Sequence, residues 1–132
     1  MTRGKIYNRA RAQQIKDYSG CRWGSITPTD VDGLIEYRDK GFIWIETKMI
    51  NNPMPDGQRK AYKRLIDALQ HTKPSILFVS QHDTEPTDDI DMAQTDVIER
   101  YYKGRWKPCE EVTLYEAIDW FINNVLDGND GL

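Results

Sequence analysis

The chain has 132 residues, of which 39% are hydrophobic and 30% charged, and it carries a formal net charge of −3. That length suits one domain around one core, and the composition is that of an ordinary globular protein, not a disordered or fibrous one. The negative balance argues against binding nucleic acid by bulk charge alone, and no apolar run approaches the roughly 20 residues of a membrane span.

Residues 1–16 lack the apolar stretch of a signal peptide. The two cysteines, Cys21 and Cys109, form no CxxC pair. A reduced, cytoplasmic protein without zinc is therefore expected. The opening segment is basic: residues 1–23 carry Arg3, Lys5, Arg9, Arg11, Lys16 and Arg22 against the single acid Asp17. Residues 7–18 read as a weakly amphipathic helix, with Tyr7, Ala10, Ile15 and Tyr18 as its apolar members, ended by Ser19-Gly20.

After Pro28, Val31 to Tyr37 reads as a strand and Phe42 to Ile50 as a stronger one, close enough to form a hairpin. Asn51-Asn52-Pro53-Met54-Pro55 breaks the chain, and Asp56 is the expected N-cap of a helix. That helix carries Ala61, Tyr62, Leu65, Ile66 and Leu69 on one face, and His71 to Pro74 stops it. Ile76 to Val79 is wholly apolar, as in a buried strand with a parallel neighbour. Residues 82–95 read as a polar loop. Residues 83–99 hold Asp83, Glu85, Asp88, Asp89, Asp91, Asp96 and Glu99 with no Lys or Arg. Such a segment either stays in solvent opposite a basic arm that meets phosphate, or is an ordinary charged surface.

Val97 to Tyr102 is a further strand candidate, with Lys103-Gly104 turning the chain into Trp106. Thr113 and Glu116 make a capping box for a last helix, whose stripe is Leu114, Ala117, Ile118, Phe121, Ile122 and Val125. This stripe suits a core or a homodimer interface. The order predicts one α/β domain over 1–132, with a mixed sheet flanked by helices. The link from the Phe42–Ile50 strand to the Ile76–Val79 strand is long enough for a right-handed crossover.

The chemistry concentrates on the hairpin. Glu-x-Lys alone carries little, since Glu36-Tyr37-Arg38 is a near copy that reads as a solvated pair. Glu46 differs because it follows four apolar residues, and a carboxylate placed there needs a partner such as Lys48 or a metal ion. A three-residue loop with Gly41 in the left-handed position pairs Arg38 with Phe42 and places Asp32 opposite Lys48. Asp32, Glu46 and Lys48 then share one face. A two-residue loop would send Asp32 to the other face.

Gln58, in the first turn of the next helix, points toward the sheet or makes a local hydrogen bond. The free N–H groups of that turn suit a phosphate. Arg59, Lys60, Lys63 and Arg64 read as a solvated outer face or as a DNA contact. Asp30 reads as an auxiliary carboxylate or as a turn-forming residue after Pro28-Thr29. His82 reads as a site neighbour or as a surface histidine.

Asp32 followed by Glu46-Thr47-Lys48 on the next strand, in this order of elements, resembles the PD-(D/E)xK nuclease superfamily. The Asp32-Gly33-Leu34 step is similar to that of lambda-type exonucleases. The Gly57-Gln58 helix start is similar to that of small resolvase-like and phage-encoded members. The resemblance covers about residues 26–80. It departs from branches that use a glutamate of the first helix, since residues 1–35 contain no Glu.

The resemblance implies a restriction-endonuclease-like core and a metal-dependent DNA nuclease of phage or bacterial recombination, repair or restriction. Asp32 and Glu46 would ligate Mg²⁺, with Mn²⁺ able to substitute, and the Thr47 backbone carbonyl would complete the protein ligands. Lys48 would orient the attacking water or offset phosphate charge, and Gln58 would support Lys48 or the phosphate. The competing expectation is a non-catalytic nucleic-acid-binding or interaction module on the same fold. A ribonuclease of the tRNA-splicing type would need a His, Tyr and Lys constellation that the chain does not assemble.

Overall fold

The computed structural model describes residue 17 and residues 19–128. The chain divides into two units, Met1–Asp30 and Val31–Leu132. In the first, Trp23 and Ile26 exchange both backbone hydrogen bonds at 3.0 Å around Gly24, whose φ is 65°. The helix expected over residues 7–18, and with it Arg9, Arg11 and Lys16, lies outside the described residues.

The second unit is an α/β fold built on five strands: β1 (Gly33–Tyr37), β2 (Gly41–Met49), β3 (Ser75–His82), β4 (Asp96–Tyr102) and β5 (Arg105–Pro108). Their spatial order is the chain order, and β2–β3 is the parallel pair in an otherwise antiparallel sheet. The parallel step is bridged by helix α1 (Asp56–Gln70). Helix α2 (Leu114–Phe121) closes the unit and widens into a π-helical turn over Ile122–Leu126. Among the described residues, no helix is long and apolar enough to cross a membrane.

Alternation along the strands sorts two cores. Ile43, Ile45, Ile76, Phe78 and Val97 pack against Leu114, Ala117 and Phe121 of α2. Trp44, Leu77, Val79 and Tyr101 pack against Tyr62 and Ile66 of α1, with Met54 at the rim. β3 is central and covered on both faces, which is why its sequence is apolar without alternation. Each fully buried large apolar side chain contributes about 1.5–3 kcal/mol. The apolar stripe of α2 is consumed by this core, so its sequence pattern is accounted for without an oligomer. A bulge between Val79 and Ser80 leaves Ile98 unpaired in the β3–β4 register.

Four local expectations are corrected. The hairpin loop is three residues long, but Arg38 and Asp39 take the positive φ values, 47° and 63°, and Lys40 N–H bonds the Tyr37 carbonyl at 2.7 Å. Gly41 is needed for a different reason: a Cβ there would lie 2.5 Å from the Pro74 carbonyl oxygen. Pro55, not Asp56, is the N-cap of α1, and no side chain caps it. Trp106, expected only as the residue that follows the Lys103-Gly104 turn, lies in the short edge strand β5. The Thr113–Glu116 capping box is present as expected.

Candidate metal and phosphate site

The hairpin register is two residues away from the expected one. Gly33 pairs with Ile45 and Leu34 with Trp44. Continuing this register by one residue sets Asp32 opposite Glu46 instead of Lys48. Because strand side chains alternate with a period of two, a two-residue slip preserves the face. Asp32, Glu46 and Lys48 therefore still converge, with the two carboxylates closer in register than expected. Asp32 is exposed just ahead of β1, and its Oδ2 accepts the Thr47 backbone N–H at 2.8 Å. That bond ties the start of β1 to the carboxyl half of β2.

Glu46 is 2% exposed and sits under α1. Tyr62 Oη–H donates to its Oε1 at 2.9 Å. Gln58 Nε2 donates to Oε2 at 2.8 Å, and Lys48 Nζ lies 3.1 Å from the same oxygen. A buried carboxylate is costly without such partners. Even so, burial first and the charge of Asp32 second push its pKa above the ordinary carboxylate range, against the hydrogen bonds from Lys48 and Tyr62. Two carboxyl groups and one ammonium group thus meet on this face.

Thr47 contributes through its backbone. Even-numbered residues of β2 send their N–H groups toward β3 and its flanks, as Phe42 to Pro74 (3.1 Å) and Ile50 to His82 (2.8 Å) show. Thr47 points the other way, to Asp32. In an extended strand the N–H and C=O of one residue point to the same side. The Thr47 carbonyl is thus directed past the end of β1, toward Asp32. Its side chain lies on the opposite sheet face, where Thr47 Oγ1 bonds Ser80 Oγ at 2.8 Å.

To a cation between them, Asp32, Glu46 and the Thr47 carbonyl would offer oxygen donors alone. Mg²⁺ and Mn²⁺ prefer such donors, and Mg²⁺ commonly retains several waters, so a set this sparse fits it. Among the described residues, no group of three or more His, Cys, Asp or Glu side chains is placed to hold a metal ion. A cation here would therefore depend on two side chains and a backbone oxygen.

The other singled-out residues separate clearly. His82 pairs with Met49, so it lies on the sheet face away from Lys48, and its Nδ1 accepts the Thr84 N–H at 3.1 Å. Asp30 belongs to the Met1–Asp30 unit. Arg59 ion-pairs with Glu99 and lies 3.9 Å over the Trp106 ring, while Lys63 pairs with Asp67 at 2.9 Å. Lys60 and Arg64 are exposed. Tyr62 is the site residue that sequence reasoning missed, having been counted as apolar lining. Its signal was the four-residue spacing from Gln58, which puts both polar tips on one helix face. No family model, curated protein or solved structure matches this chain.

Proposed function

We propose that this chain is a Mg²⁺-dependent deoxyribonuclease of the PD-(D/E)xK type, with a restriction-endonuclease-like core, acting in phage or bacterial DNA recombination, repair or restriction. The observation that carries the reading is the environment of Glu46. A buried carboxylate faces a second carboxylate across a hairpin, contacts an ammonium group two residues away, and lies under the first turn of a helix. A structural ion pair needs no exposed Asp32 beside it, whereas phosphodiester hydrolysis uses a cation seat and a lysine side by side.

In this reading Asp32, Glu46 and the Thr47 carbonyl hold the cation. When bound, Mg²⁺ would supply charge stabilisation at the phosphate and a more acidic water. Lys48 presents its ammonium to the attacked phosphate or orients the attacking water. Gln58 and Tyr62 fix the Glu46 carboxylate, so that its direction does not depend on the cation. The N-terminal turn of α1 offers backbone N–H groups and a partial positive charge to the DNA backbone.

The test is nicking of supercoiled plasmid, followed by cleavage of labelled linear and branched DNAs, in Mg²⁺, Mn²⁺ and EDTA. Cutting in Mg²⁺ or Mn²⁺ and none in EDTA is expected. Retained DNA binding without cutting under any cation would leave a non-catalytic binding module instead.

A further inference from the structure

We propose that Gln81 is a substrate-binding residue of this site and that the hollow at the carboxyl end of β3 receives the nucleobase next to the scissile phosphate. The proposal rests on the nuclease reading above and extends it to one part of the substrate. Gln81 pairs with Lys48 in the parallel β2–β3 register. Directly paired residues share a sheet face, with their backbones about 4.8 Å apart. Gln81 is therefore the next side chain beyond Lys48 along the row that carries the chemistry. It is half-buried, and its carboxamide makes no hydrogen bond to the described residues.

Gln81 also lines a hollow of about 360 Å³, together with His82, Thr84, Asp91, Gln94 and Asp96 among others. The hollow opens where β3 ends, beside the carboxyl end of its parallel neighbour β2. Open α/β sheets bind ligands in this position. Its volume falls within the usual range for ligand pockets, about 300–1,000 Å³.

The lining decides which part of a nucleotide fits. Among the described residues it contains carboxylates, carboxamides, hydroxyls and an imidazole, but no Lys or Arg. A phosphate would be repelled. A base is neutral and carries amino donors that carboxylates and carboxamide oxygens accept, and a glutamine amide can bond an adenine edge in two places. The division of labour follows: Lys48 and the α1 N-terminus face the backbone, and the acidic hollow faces the base. It also gives the carboxylates among residues 83–96 a use other than solvation.

The experiment measures binding of a labelled oligonucleotide duplex in Ca²⁺, which supports binding with little cutting. Wild type, Gln81→Met and Gln81→Glu are compared, with thermal unfolding and Ca²⁺ calorimetry on each. Gln81→Met is expected to bind about tenfold more weakly, the size of one lost base contact, with Ca²⁺ affinity and unfolding temperature unchanged. An abasic nucleotide beside the cut site should weaken wild type by a similar factor and Gln81→Met hardly at all, because the two changes remove one interaction. Gln81→Glu keeps the size and loses the amide donors, so it should also bind more weakly. Wild-type affinity in both variants, or an abasic penalty undiminished in Gln81→Met, overturns the proposal while leaving the nuclease reading intact. A second Ca²⁺ site abolished by Asp91→Asn overturns it as well, by making the hollow a cation seat. A folded wild type that neither binds nor cuts DNA overturns both.

Discussion

Glu46 and Lys48 are two residues apart and touch, yet the proposed function gives them separate tasks, and substitutions should separate them. Glu46→Gln keeps the volume and removes the charge that holds a cation, so divalent-ion affinity and cleavage should both fall while the protein still unfolds cooperatively. Lys48→Ala leaves both carboxylates and removes a charge that repels cations. Calorimetry should therefore show Mg²⁺ binding at least as tightly as in wild type. Cleavage should nevertheless slow by about a hundredfold to a thousandfold, the usual cost of one preorganised stabilising group. Cutting by Lys48→Ala at the wild-type rate would remove lysine from the mechanism. At this scale the sequence was informative because burial could be read from neighbours: the apolar run Phe42–Ile45 marks Glu46 as desolvated, whereas Glu36 on the edge strand is exposed. Tyr62 stayed hidden because a phenol counts as apolar in a periodicity pattern until its hydroxyl has a partner.

At the scale of elements, the hairpin and α1 hold the site, and each has a point where a substitution tests the packing. Gly41 lies where β2 begins, beside the residue that leads into β3 and the last helical turn. A Cβ there would come within 2.5 Å of the Pro74 carbonyl oxygen and 2.6 Å of Leu126 Cδ2. Gly41→Ala should cost about 1–3 kcal/mol, as overpacking does, seen as a lower urea midpoint. Helix α1 is fastened to β4 through Asp67, which accepts from Tyr101 Oη at 2.6 Å and from Lys63 at 2.9 Å. The Tyr101 hydroxyl first and Lys63 second hold the Asp67 carboxyl below its ordinary range. A carboxyl with a lowered folded-state pKa binds protons more tightly when unfolded. Its stabilisation is therefore complete above the unfolded value, near about 3.9, and is lost as pH falls through the folded value. Asp67→Asn should be less stable than wild type at neutral pH, with the difference closing below about pH 4 in urea unfolding across a pH series.

The strands and helices of the second unit were readable because period two and period 3.6 are strong signals in long segments. The hairpin register was not readable. It depends on which loop residues adopt positive φ, and Arg38 and Asp39 take the positions that a glycine-based rule gives to Gly41. The face assignment survived because the error was an even number of residues. β5 was missed because Arg105-Trp106-Lys107-Pro108 has the charges and proline of a protected edge, which lower its strand signal.

At the scale of the whole molecule, the proposed nuclease reading requires a net charge of −3 to be reconciled with a polyanionic substrate. The resolution lies in segregation of charge along the chain. The first 23 residues are basic and the stretch 83–99 is acidic, and the proposed cation seat would add positive charge only when filled. Binding should therefore come from few phosphate contacts and depend on the divalent ion, unlike that of a uniformly basic protein. Each cation that contacts a phosphate adds close to one unit to the slope of log affinity against log salt. If Arg9, Arg11 and Lys16 make such contacts, changing all three to Gln should weaken DNA binding at low salt and reduce that slope by about 3. The same variant should bind Ca²⁺ as wild type does, because the proposed seat uses only Asp32, Glu46 and Thr47. Anisotropy titrations from about 50 to 200 mM salt measure both quantities. An unchanged slope would make the arm a solvated surface and leave phosphate binding to Lys48, the α1 N-terminus and the bound ion.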